Sequence, residues 1–258
     1  MAKENMKEKH RQKPDSTSEG ASLRLIGLSD GLFATVLTLL VLDLRIPDVL
    51  NSGDGNITVF IKWIGPHLFS YLLTFLVAGT YWLAHHRDFD LVIHSDRILL
   101  NYNLLFLLFV GLLPFSTAAI SLVSLKGSTY AFYWTIYALN IILAGIMLTL
   151  TWVYAVRHGF VEPNVNAEQS RYLTMRQLVT PAIFVISIIS EYLFPRVVLG
   201  PLSLLLVPLG IRLVDRPFAH AEPETQPGKP SWSAILWRVG IILPWILVIG
   251  FAIWSMSL

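Results

Sequence analysis

Between Arg24 and Ile46 the chain reads RLIGLSDGLFATVLTLLVLDLRI, and from Gly31 to Leu42 it carries no charge and is nearly all apolar. As a helix this stretch of 23 residues is long enough to cross a bilayer hydrocarbon core of about 30 Å. Asp30 nevertheless sits inside it, and Arg24, Asp43 and Arg45 punctuate its ends. An ionisable group at membrane depth is costly unless it is paired or faces a cavity, which makes it a functional lead. At about 100° per residue, Leu28, Gly31, Thr35, Thr38, Leu39, Leu42 and Ile46 share one stripe, with Asp30 on the opposite side. That division suits a pore-lining helix anchored from behind. It suits equally a helix whose threonines bond back to carbonyls four residues earlier and whose leucines face lipid, and spacing alone favours this second reading.

Five further apolar segments follow, at about 57–84, 97–122, 129–156, 177–194 and 196–211, the last two separated only by Pro195 and expected to form a tight hairpin. Only 14% of the residues are charged, against about 25% in a soluble domain, so the sequence predicts an all-α, multi-pass membrane protein of six transmembrane helices. An apolar C-terminal segment at 232–258 is long enough for a seventh. The expected organisation is a disordered cytoplasmic tail at 1–21, a six-helix membrane domain at 22–215, a Pro-rich linker at 216–231 and the extra hydrophobic segment at 232–258. With the N-terminus inside, the inner segments hold 15 of the 19 Lys and Arg residues and the outer loops 4. This asymmetry predicts a cytoplasmic N-terminus. A net charge of +2 gives no reason to expect a nucleic-acid partner, and the lack of cysteine excludes disulfides, thiolate nucleophiles and cysteine metal sites.

The stretch WLAHHRDFDLVIHSDRILLNYN, Trp82 to Asn103, packs three histidines, three aspartates and two arginines between the second and third spans. Adjacent histidines also mark membrane di-iron oxygenases, but those need several such clusters to fill two iron shells. Here His10, His67, His158 and His220 are scattered, so no metal site is expected, and a solvated charged loop is the simpler reading. The inner end of the first span lies at a depth similar to His85 and His86, so Arg24, Ser29, Asp30 and one of the histidines are expected to form a buried polar network bracing the first helix. The same residues would serve a proton-coupled transporter or proton channel relaying through Asp30 and His85 or His86. No serine–histidine–acid set, phosphate loop or dinucleotide fingerprint appears, so no enzyme is expected. Pro114 and Pro244 are expected to kink their helices.

RLIGLSDGLFATVLTLLVLDLRIP resembles the signature first helix of the transmembrane-protein-175 family, the endolysosomal and prokaryotic potassium channels, in which Arg and three residues precede Phe-Ser-Asp. YWLAHHRDFD and SDRILLNYNLLFLLFVGLLPFSTA are similar to that family's second and third helices. The resemblance covers about the first half of the chain. It implies a homotetramer in a prokaryotic cell membrane, conducting K+ through a central pore lined by the first helix of each subunit, without a cofactor; members of the family also pass protons. Arg24, Ser29 and Asp30 match the signature; Thr38 matches the pore threonine held to coordinate potassium or its waters; Leu39 and Leu42 match apolar constriction positions. Leu28 replaces the signature phenylalanine. Thr35 stands where relatives usually carry isoleucine at the narrowest ring, and a hydroxyl ring there should wet more readily.

Overall fold

The computed structural model describes residues 16–42, 44, 57–121, 128–194, 200 and 206–215. They form seven helices: α1 (Ser16–Leu42), α2 (Ile57–Asp90), α3 (Arg97–Gly111), α4 (Leu113–Ser121), α5 (Ser128–Arg157), α6 (Ala167–Leu193) and α7 (Leu206–Asp215). Among the described residues, α1, α2, the α3–α4 pair, α5 and α6 make five elements long and apolar enough to cross a membrane. Most of the expected sixth span and the whole of the 232–258 segment lie outside the described residues, as do Pro195 and Pro244.

The helices run further than the apolar segments. α1 begins at Ser16, so residues 16–21, expected as tail, are helical. α2 continues to Asp90, and α6 starts at Ala167, where the Asn166 side chain accepts from the Gln169 N–H. The charged stretch 82–103, expected as a solvated loop, is therefore mostly helix, with only 91–96 between α2 and α3. Its loop residues are stapled to the α5–α6 connection. Ile93 N–H donates to Phe160 O (2.8 Å) and Glu162 N–H to Leu91 O (2.9 Å), while Gly159 takes φ 68° to turn the chain after α5. The third span is interrupted just before Pro114, where a kink was expected. Pro114 offers no N–H to Val110, and α3 gives way to α4 at Leu112.

α5 is the centre of the subunit. It packs against α3, α4 and α6, and Trp134, Tyr137, Ile141 and Ala144 are wholly buried along it. Hydroxyls tie it to its neighbours: Thr74 of α2 meets Thr117 of α4 at 2.8 Å and Tyr137 of α5 at 3.0 Å. Trp134 donates to Ser187 of α6 (3.1 Å). At the other end of α6, buried Gln177 donates to buried Asp88 of α2, which also accepts from Arg87. Glu191 is buried and accepts from the Gly200 N–H at 2.8 Å, so this acid holds backbone. Small residues let membrane helices approach closely, and Gly145 does so here. A Cβ at that position would lie 2.4 Å from Pro181 Cγ and 2.7 Å from the Tyr81 hydroxyl.

Two consequences can be measured. Gly145→Ala forces the Pro181 ring and α6 outward and should cost about 1–3 kcal/mol, read as a lower unfolding temperature in detergent, whereas Gly79→Ala, with open space around its Cβ, should leave it unchanged. Asp96 caps α3 by accepting from the N–H of Ile98 (3.1 Å) and Leu99 (2.8 Å), and it also accepts from the Tyr154 hydroxyl (2.7 Å). Burial pushes its carboxyl up, but these bonds together with nearby His158 hold it below the usual carboxylate range. The stability so gained is complete above the unfolded value of about 4 and is lost as pH falls through the lower folded value. The advantage of the wild type over Asp96→Asn in thermal melts should therefore shrink on acidification below about pH 4.

Candidate ion-conduction pathway

α1 is divided lengthwise. Leu25, Ser29, Phe33, Val36 and Leu40 recur at helical spacing and are buried against the subunit, where α1 meets α2, α3 and α4. The other side turns away from the subunit: Leu28, Gly31, Thr35, Thr38, Leu39 and Leu42 are all exposed. Only 28% of the 25–42 span is buried, against 61% of the span formed by α5. Among the described spans, α1 thus has the least cover from its own chain.

Both hydroxyls of the exposed stripe bond back along the helix. Thr35 donates to Gly31 O at 2.8 Å and Thr38 to Ala34 O at 2.7 Å. This back-bonding, one of the two readings the spacing allowed, does not conflict with a role toward cations. A hydroxyl that has given its proton to a carbonyl keeps its oxygen lone pairs free, and they point outward as acceptors. Leu39 and Leu42, one residue and one turn beyond Thr38, present apolar surface on the same side.

The expected polar network divides into two parts. In the first, His85 Nε2 meets Asn103 Oδ1 at 2.9 Å, Asn103 Nδ2 donates to Ser29 Oγ at 3.4 Å, and Ser29 Oγ donates to Leu25 O at 2.9 Å. All three side chains are buried, and the imidazole is stacked between Phe89 (4.3 Å) and Phe106 (5.4 Å). In the second, Asp30 sits on the flank between the two faces of α1, not squarely behind the stripe, and accepts from the Trp82 indole at 2.9 Å. His86 is exposed, stacked on Trp82 at 5.6 Å and 3.8 Å from Asp90. Asp30 thus joins Trp82 rather than Ser29 and His85. The Arg24 side chain lies outside the described residues.

Asn103 and Trp82 are the partners that sequence reasoning did not single out. Asn103 had a signal, being an amide at helical spacing with the apolar Leu99, Phe106 and Val110, whereas Asn101 falls off that face. Among the described residues no group of three histidines, cysteines or acids could hold a metal ion. Removing the central amide leaves a buried imidazole unpaired, which costs about 1–3 kcal/mol. Asn103→Ala should therefore lower the unfolding temperature clearly, while Trp82→Phe, at a half-exposed position, should lower it by less; a melt series in detergent compares them.

Residues 24–114 match the family model described as endosomal/lysosomal potassium channel TMEM175. A potassium channel of Streptomyces collinus is 30% identical over 154 residues, covering 59% of this chain and 74% of that one. The human endosomal/lysosomal proton channel TMEM175 is 36% identical over 97 residues, covering 35% of this chain but only 19% of the human protein. The crystal structure of a lysosomal potassium-selective channel TMEM175 homolog from Chamaesiphon minutus superposes with a TM-score of 0.55 at 22% identity, covering 92% of this chain and 98% of that one. Shared helical architecture, a matched signature block and a bacterial relative aligned over most of its length place this chain in the TMEM175 family.

Proposed function

We propose that this chain is a potassium channel of a prokaryotic cell membrane, conducting K+ through a pore lined by α1 in a homotetramer, with its N-terminus in the cytoplasm. The observation that carries the reading is the uncovered stripe of α1. It holds the hydroxyls Thr35 and Thr38 and the leucines Leu39 and Leu42 on one side of a helix whose opposite side is locked into the subunit. Four such stripes around an axis would form two hydroxyl rings followed by two leucine rings. The hydroxyl rings offer oxygens that replace part of the ion's hydration, and the leucine rings form a waist that closes by dewetting. Arg24, Ser29, Asp30, His85 and His86 serve in this reading to fix the helix, not to bind the ion. The membrane domain is assigned to 22–215, and the bacterial relative's name supports potassium as the permeant ion.

A proton-coupled mechanism through Asp30 and His85 or His86 has less support. Among the described residues no hydrogen bond joins Asp30 to either histidine; its partner is the Trp82 indole, which donates a proton but cannot accept one. The Ser29–Asn103–His85 chain ends on the Leu25 carbonyl, which takes up no proton at physiological pH.

The test is electrical. Protein reconstituted in planar bilayers should give potassium-selective currents, and Thr38→Ala should shift the reversal potential under a potassium–sodium gradient toward zero. Loss of one hydroxyl ring worth about 1 kcal/mol of differential stabilisation corresponds to roughly a fivefold loss of selectivity. Unchanged reversal potentials would remove Thr38 from the pathway. Thr35→Ile, which dries that ring, should lower conductance while sparing assembly.

A further inference from the structure

Where α5 ends and α6 begins, an open cleft of about 270 Å³ lies between the two helices, and its lining includes Val153, Val156, Arg157, Ser170, Arg171 and Thr174. Arg157 is the last residue of α5, and Arg171 stands in the second turn of α6, so both lie at one edge of the membrane-spanning region. Among the described residues neither guanidinium pairs with a carboxylate. Ser170 makes no hydrogen bond through its hydroxyl there, and Thr174 has given its proton to Ser170 O (2.8 Å). Deeper than the two cations the cleft is walled by Val153 on α5 and by Thr174, whose hydroxyl is turned to its own backbone, on α6. One turn deeper, by helical spacing from Val153 and Thr174, come Leu150 and Leu178, exposed on the same side.

We propose that this cleft binds an anionic phospholipid of the cytoplasmic leaflet. The two arginines take its phosphate, the Ser170 hydroxyl donates to a phosphate oxygen, and one acyl chain runs over the exposed Leu150 and Leu178 side chains. Guanidinium groups match phosphate oxygens in number and geometry, and basic pockets between helices on the cytoplasmic side are suited to anionic headgroups. A soluble phosphate would gain from the cations but would leave Val153 and the two leucines wet, which is why the lipid is the better occupant. The proposal rests on the membrane-spanning, N-terminus-inside reading and not on potassium conduction, so a failed current measurement leaves it standing.

Native mass spectrometry of the full chain in neutral detergent tests it, with dioleoyl-phosphatidylglycerol, dioleoyl-phosphatidylcholine and inorganic phosphate as probes. Phosphatidylglycerol should be retained about tenfold or more over phosphatidylcholine. The preference should vanish in Arg157→Gln/Arg171→Gln and survive in Arg157→Lys/Arg171→Lys. Val153→Trp, which fills the cleft and keeps both charges, should also abolish it. Equal retention of the two lipids by the wild type would overturn the proposal. So would full retention by Val153→Trp, which would reduce the arginines to diffuse surface charge. Displacement of the lipid by inorganic phosphate would mark a free-anion site instead and would equally overturn it.

Discussion

An imidazole buried among aromatic rings must find a hydrogen-bond partner, and the partner that His85 finds determines how α1 is rotated in the subunit. Asn103 bridges His85 to Ser29, so helices α2, α3 and α1 are joined by one chain of donors and acceptors that ends on a backbone carbonyl. In a low-dielectric interior such a chain is expensive to break, because each released group would be left without water. α1 needs a tie of this kind more than the other spans do. With little more than a quarter of its span covered by its own subunit, apolar packing alone would hold its rotation loosely. Phe33, Val36 and Leu40 give it a buried face, and the polar chain at Ser29 fixes the angle of that face.

Once that angle is set, the opposite stripe follows from helical geometry. Thr35, Thr38, Leu39 and Leu42 project away from the subunit because Ser29, Phe33, Val36 and Leu40 project into it. Back-bonding of the two threonines then decides which atoms they present. Had the hydroxyl protons pointed outward, the stripe would offer donors, which suit anions; bonded to Gly31 O and Ala34 O, they offer lone pairs, which suit cations. The same bond that makes threonine tolerable in hydrocarbon is the one that, in the proposed pore, would suit it to a cation.

The all-helical fold and the division of α1 were readable from the chain because both depend on hydrophobic periodicity, which is local. The ends of the helices were not. Hydropathy stops near Ala84 and begins again near Gln177, yet α2 runs on to Asp90 and α6 starts at Ala167. Those extensions depend on contacts between segments distant in sequence: the staple of Ile93 and Leu91 to Phe160 and Glu162, the Asn166 cap, and the burial of Asp88 against Gln177. The charged run from Trp82 to Asn103 looked like a loop because charge density was read without its partners. The site shows the same limit. Ser29 and His85 were recognised as polar groups in need of partners, but which partner each would take depended on Asn103, eighteen residues beyond His85. Asp30, placed behind the stripe by the helical wheel, found an indole on α2 instead.

The remaining helices make α1 a surface on a stiff frame. α5 is buried along most of its length, meets α6 so closely at Gly145 and Pro181 that no side chain fits between them, and is tied to α2 and α4 through Thr74, Thr117 and Tyr137. The break at Leu112 then serves packing. α3 meets α1 through Asn103, and α4 sets Thr117 within hydrogen-bond reach of Thr74. With the ladder broken at Pro114, α3 and α4 each meet α1 and both remain in contact with α5. What joins the stripe to this frame is the Ser29–Asn103–His85 chain, the Asp30–Trp82 bond and the buried face of Phe33, Val36 and Leu40.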